Sequence, residues 1–116
     1  MNNLLISQGE IWYVNLDPVV GHEQGKKRPC LVVSRNELNQ GVDKMVTIIP
    51  LTSRFRPIRW WVPIPQSLKI LPKATFVICN QVRTVSSDRF SGNSLGVLPP
   101  FIFDQVRRRL KILLDL

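Results

Sequence analysis

Histidine occurs once, at His22, cysteine twice, at Cys30 and Cys79, and only eight residues in 116 are acidic. A single histidine excludes acid–base catalysis by a histidine pair. With no Cys-x-x-Cys pair beside it, a structural zinc site is excluded as well. The carboxylates are scattered, two of them (Asp104 and Asp115) in the C-terminal stretch, so the clustered ligands of a metal-dependent nuclease or phosphatase are missing. Gly-x-Ser-x-Gly, P-loop and dinucleotide-binding patterns are absent. No apolar run approaches the roughly 18 residues of a membrane helix. The opening Met1-Asn2-Asn3-Leu4-Leu5-Ile6 has neither a basic segment nor a long apolar stretch, so no signal peptide is expected and the chain reads as cytoplasmic. In that compartment Cys30 and Cys79, each at one end of an apolar stretch, read as buried free thiols.

What is present is a globular composition: 44% hydrophobic residues, 21% charged, mean hydropathy +0.02. The length suits one domain spanning residues 1–116, with no repeat or linker. The net charge of +8 is unevenly placed. Residues 1–50 hold five bases and five acids, whereas residues 51–116 hold eleven bases and three acids, so the whole excess lies in the second half. A basic face built this way suits a polyanion or an acidic protein.

Strand signals dominate. Glu10–Leu16 is β-rich, with Ile11 and Tyr13 on one face and Trp12, Val14 and Leu16 on the other. Residues 30–34 and 46–51 are continuous apolar runs expected of buried strands; 59–65 reads as an edge strand because of its prolines, and 75–82 completes a set of five. Connections too short for helical crossovers predict a mostly antiparallel, barrel-like sheet. One helix is expected, opened by Pro99-Pro100, with Ile102, Val106, Leu110 and Leu113 at helical spacing and Arg107–Lys111 on a solvated side. Gly21–Lys27 is a loop able to carry function.

One reaction suits so sparse a set. RNA carries its own nucleophile, the 2′-hydroxyl beside the scissile phosphate, and its attack needs neither metal nor water. The protein need only manage protons and stabilise charge on the phosphate oxygens, for which arginine provides a permanent forked cation. DNA, lacking the 2′-hydroxyl, would be spared. Arg54-Phe55-Arg56-Pro57-Ile58-Arg59-Trp60-Trp61 interleaves bases with aromatics, a pattern suited to single-stranded RNA, although the same stretch also reads as a solvated loop leading to an edge strand.

Gly9-Glu10-Ile11-Trp12, Leu16-Asp17-Pro18, Gly21-His22-Glu23-Gln24, Arg28-Pro29, Pro50-Leu51-Thr52-Ser53 and Asn80-Gln81-Val82-Arg83-Thr84 occur in one order. In that order the chain resembles the MazF/PemK/Kid toxins from about residue 8 to the C-terminal helix. The resemblance implies a mainly β fold, an SH3-like barrel plus helix, working as a homodimer. It also implies a metal-independent, cofactor-free, sequence-specific endoribonuclease restrained by a small acidic MazE-like antitoxin. Arg28 and Thr52 match the family's catalytic arginine and threonine. His22, Glu23, Gln24, Lys27, Ser53, Arg54, Arg56, Gln81 and Arg83 are the expected RNA contacts, with His22 read as a loop contact rather than the base.

Three positions depart from the pattern. Asn80 replaces the aspartate of an Asp-Gln motif, Ile78 stands where some members carry a second catalytic arginine, and Ser86 replaces a later aspartate. Ile78 favours the Arg28/Thr52 version of the mechanism. Two rivals stay open: a gyrase-poisoning protein like CcdB, held to share this fold, and a degenerate member that binds RNA or antitoxin without cutting. The Gly-His-Glu-Gln loop with Arg28 and Thr52 favours the ribonuclease, since a gyrase binder has no use for them.

Overall fold

A computed structural model describes residues 5–116; Met1–Leu4, where most of the signal-peptide reading rests, lie outside the described residues. Seven strands and two helices follow in order: β1 (Glu10–Asn15), β2 (Lys27–Val32), α1 (Asn36–Asn39), β3 (Met45–Thr52), β4 (Trp61–Ile64), β5 (Thr75–Ile78), β6 (Arg83–Ser86), β7 (Phe90–Val97) and α2 (Pro100–Leu114). Every described strand pairing is antiparallel. The sheet runs β4-β5-β3-β2-β1-β7, with β6 added to β3. Its ends, β4 and β7, do not pair, so the expected barrel is not closed by hydrogen bonds.

Alternation along the strands gives the sheet two apolar faces. Ile11, Leu31, Ile49, Leu51 and Val77 form one core with Ile102, Phe103 and Val106 of α2. Trp12, Val14, Cys30, Val32, Ile48 and Phe90 form the other. β1 therefore feeds both cores, as its pattern predicts, and Tyr13 and Asn15 stay exposed. Two strands were not anticipated. β7, Phe-Ser-Gly-Asn-Ser-Leu-Gly-Val, has no strand composition of its own and exists because it covers the free edge of β1, with a register shift between Ile11 and Tyr13. β6 forms against the first half of β3. The expected fourth strand begins only at Trp61, and neither Trp60 nor Trp61 is fully buried.

Helix α2 has Pro100 at its start, where a missing N–H costs nothing. It ends at Asp115 in the left-handed conformation, with Leu116 N–H donating to Lys111 O at 2.9 Å. Arg107 and Arg108 are exposed, as the solvated-face reading expects. No described helix is long and apolar enough to cross a membrane.

Candidate active site

Strand β3 changes partner along one edge. It pairs with β6 over Met45–Ile48 and with β5 over Leu51–Thr52, leaving Ile49 and Pro50 at the break. Proline cannot donate to a ladder and is tolerated where pairing is interrupted. On its other side Pro50 stands opposite Cys30 of β2. The chain crosses the break in a tight 3-10 turn, Cys79–Gln81, which buries Cys79 and leaves Asn80 and Gln81 at the surface of the sheet end. The apolar run 75–82 is thus not one strand: β5 stops at Ile78, where β3 continues but passes from pairing with β5 to pairing with β6.

Around this break lies a cavity of about 640 Å³. The β2–β3 register, carried two residues beyond the Cys30–Pro50 pair, sets Arg28 opposite Thr52. Arg28 donates from Nε to Gly25 O at 3.0 Å and from Nη1 to Leu51 O at 3.3 Å. A guanidinium has five N–H groups, so three remain for a ligand in a position fixed by two carbonyls. Thr52 Oγ1 accepts the Arg54 amide at 3.1 Å, which leaves its own hydrogen free to donate. Arg54 and Arg56 complete the cationic lining, and no carboxylate lines this cavity. Among the described residues the one ion pair is Arg35–Glu37, exposed and remote in sequence from these arginines.

The loop from Asp17 to Lys26 is tied at its base and at its tip. Leu16 N–H donates to Lys26 O at 2.9 Å, and the Asp17 carboxylate accepts the Lys26 amide at 2.8 Å. At the tip, Gln81 Oε1 accepts the Gln24 amide at 2.7 Å while its Nε2 donates to His22 O at 3.3 Å. On the opposite wall Trp61 leans on Phe76, with ring centroids 6.4 Å apart, and Phe76 on the exposed Phe55, 5.5 Å apart. Trp61 Nε1 is buried without a partner among the described residues.

Eight of the anticipated residues line this cavity: His22, Gln24, Arg28, Thr52, Ser53, Arg54, Arg56 and Gln81. Glu23, Lys27 and Arg83 do not. The Glu23 carboxylate turns back to accept the Val20 amide at 2.6 Å, and the Arg83 guanidinium donates to Leu16 O at 3.2 Å. Both border a separate hollow of about 180 Å³ behind Gln81. Lys27 is exposed on β2 and lines neither hollow. The sequence marked Asn80 only as a departure and Trp61 as the end of the base-and-aromatic stretch, and neither was named as a site residue, yet both line the cavity. Adjacency to Gln81 was a signal for Asn80; the position of Trp61 follows from its pairing with Ile78 in β5, which no local pattern gives.

Cys30 and Cys79 are free and buried, as expected. Burial pushes both thiols up to about 12, although Arg28 and Arg83 pull Cys30, and Arg109 pulls Cys79, part of the way back. Among the described residues no three His, Cys, Asp or Glu side chains gather into a possible metal site.

A small antiparallel sheet with one packed helix thus presents an arginine-lined, carboxylate-free cavity with hydroxyl and amide groups, a lining whose chemistry suits the phosphates of a nucleic acid. The chain belongs to the PemK-like, MazF-like toxins of type II toxin–antitoxin systems, whose family model matches residues 7–114. It is 33% identical to the endoribonuclease PemK of Escherichia coli over 94% of this chain and 82% of that protein. Among solved structures, MazF of Deinococcus radiodurans superposes with a TM-score of 0.87 at 27% identity, covering 98% of this chain and all of that one. A MazE–MazF complex from the same organism gives 0.81 at 27% identity, covering 98% and 99%.

Proposed function

We propose that this chain is the toxin of a type II pair and cuts single-stranded RNA in the cytoplasm by attack of the substrate's own 2′-hydroxyl. The observation that carries the reading is the cavity itself: Arg28, Arg54 and Arg56 with the Thr52 hydroxyl, and no carboxylate among them.

In the step we assign, the 2′-oxygen gives up its proton to solvent and bonds to phosphorus, and the P–O5′ bond breaks as the departing 5′-oxygen takes a proton back from solvent, so that no proton is gained or lost overall. The products are a 2′,3′-cyclic phosphate and a 5′-hydroxyl. Arg28 supplies its three uncommitted N–H groups to the non-bridging oxygens, where negative charge builds. Its two carbonyl contacts hold it there before substrate arrives, so little reorganisation is needed. Thr52 donates its hydroxyl hydrogen to the same phosphate, because its lone pair already serves Arg54. Arg54 and Arg56 hold neighbouring phosphates, and His22, Gln24, Ser53 and Gln81 offer amide, hydroxyl and ring contacts to the nucleotides. Glu23, Lys27 and Arg83 act at the margin, steadying the loop and the hollow behind it.

The chain acts as one domain and pairs with a second copy, so that two such cavities lie along one basic groove. An acidic antitoxin segment occupying that groove answers the +8 charge and blocks the RNA path; the Deinococcus radiodurans relative is crystallised as a MazE–MazF complex. The gyrase-binding alternative is not favoured, since the curated relatives are named endoribonucleases.

The test is cleavage of a long single-stranded RNA and its DNA counterpart in EDTA, by wild type and Arg28→Ala. RNA alone is cut, leaving cyclic phosphate ends, and the variant loses the activity. Folded dimeric protein that leaves diverse RNAs intact overturns the reading and identifies a binder that does not cut.

A further inference from the structure

We propose that a smaller cavity beside Tyr13 is a second nucleotide subsite, holding the base of a residue next to the scissile phosphate. The inference rests on the ribonuclease reading above and extends it to Tyr13, Leu71 and Lys73, which the sequence motifs do not include.

This cavity, of about 150 Å³, shares Pro29, Leu51, Thr52 and Ser53 with the arginine-lined one and continues past them to Tyr13, Leu71 and Lys73. The two hollows are therefore two sides of one ridge, and Thr52 belongs to both. An RNA strand with its phosphate at Thr52 has a nucleotide leaving on each side. One side meets Arg54, Arg56 and Trp61; the other meets Tyr13.

The placement of Tyr13 is unusual for its position. Its neighbour on the same strand face, Ile11, is fully buried, yet Tyr13 is 40% exposed. Across the sheet it stands opposite Pro29, which leaves a flat apolar floor beside the ring. Among the described residues its hydroxyl makes no hydrogen bond, so nothing there holds the ring as part of a polar network. Leu71 packs against the helix-side core, and Lys73, two residues on, brings a cation to the rim. An uncovered aromatic ring on an apolar floor, with a cation at the rim and a phosphate site next door, is what an unstacked base requires. A peptide segment would use the apolar floor equally well but would have no need of the shared phosphate ridge.

The experiment first maps a cleavage site on a long RNA with wild type, then uses a short oligonucleotide around that site with an abasic residue at each flanking position in turn. Tyr13→Ala raises KM about tenfold, within the range of one base–aromatic stack. Tyr13→Phe, which keeps the ring, restores most of the affinity. One abasic position raises the wild-type KM by a similar factor and adds nothing in Tyr13→Ala, which ties the ring to that base. Lys73→Ala, an exposed change that spares the fold, weakens binding and flattens its salt dependence. Wild-type cleavage with no KM change in Tyr13→Ala, or with the full abasic penalty still present in it, overturns the subsite alone. Failure of wild type to cut any RNA overturns the ribonuclease reading and the subsite with it.

Discussion

Gln81 and Gln24 lie 57 positions apart and are joined by one short hydrogen bond, Gln24 N–H to Gln81 Oε1 at 2.7 Å. The other end of the same side chain donates to His22 O. One amide thus clasps two successive points of the loop that roofs the cavity. Each such bond is worth about 1 kcal/mol net, so the pair together holds the loop by roughly 30-fold. Gln81→Ala is expected to lower cleavage up to about 30-fold and to speed amide exchange across residues 21–25, with a change of only ~1–2 kcal/mol in overall stability. Gln81→Glu keeps the acceptor for Gln24 and loses the donor to His22, so its effect should be intermediate. Unchanged exchange in Gln81→Ala would show that the loop is held by its base alone.

Arg28 and Thr52 separate by the kind of replacement each tolerates. Arg28→Lys keeps the charge but cannot span Gly25 O, Leu51 O and a phosphate at once, so it should remain far below wild type. Arg28→Ala is expected to cost ~100- to 1,000-fold in kcat, as for loss of a donor to a developing oxyanion. Thr52→Ser retains the hydroxyl and most of the activity. Thr52→Val loses ~10- to 100-fold, the value of one hydrogen bond to a charged group. Single-turnover rates on a saturating RNA oligonucleotide measure these losses. Near-wild-type rates for Arg28→Lys would show that charge alone is needed there.

Gly25 is fixed by space rather than by a left-handed backbone. A Cβ there would lie 2.8 Å from both Asp17 Oδ1 and Val19 Cγ2. Asp17 Oδ1 is the acceptor for the Lys26 amide, and Gly25 O is the acceptor for Arg28 Nε. Gly25→Ala must therefore shift the carboxylate, the loop or both. The expected cost is ~1–2 kcal/mol, seen calorimetrically as a fall of several degrees in Tm, with at least a 10-fold loss of cleavage because Arg28 loses its anchor. A variant with wild-type Tm and rate would mean that the loop yields freely.

The β-branched and aromatic runs at 10–16, 30–34 and 46–51 were legible because each is buried on at least one face, and burial leaves a period in the sequence. β7 left none: its serines, asparagine and glycines become a strand only because β1 offers a free edge. The end of β5 was invisible for a related reason. Val77-Ile78-Cys79 reads as one run, and only the partner change on β3 turns the chain at Cys79. The site divides in the same way. Arg28, Thr52 and Gln81 were found through motif resemblance, while their meeting depends on strand register. Glu23 and Arg83 share those motifs and still turn away, because nearby backbone groups, the Val20 amide and the Leu16 carbonyl, take their side chains first. Tyr13 was read only as a strand residue, since local pattern cannot show that nothing covers it.

The two buried thiols give the fold an alkaline limit. An unfolded cysteine ionises near its ordinary 9.0, whereas burial in the native chain holds Cys30 and Cys79 protonated up to about 12. Below pH 9 both states keep the proton, and the thiols contribute no pH dependence. Between about 9 and 12 the unfolded state binds fewer protons than the native one, so stability falls as pH rises. Urea midpoints should therefore drop more steeply from pH 8 to pH 10 in wild type than in the Cys30→Ala/Cys79→Ala double variant. That variant starts lower at pH 8 because of the cavities it creates, and the comparison removes the shared lysine and tyrosine contributions. Ellman's reagent at pH 8 gives an independent check: native protein should react slowly, and urea-unfolded protein should release two equivalents per chain at once. Rapid reaction of the native protein would show that the thiols are reached by solvent and that the alkaline slope has another source.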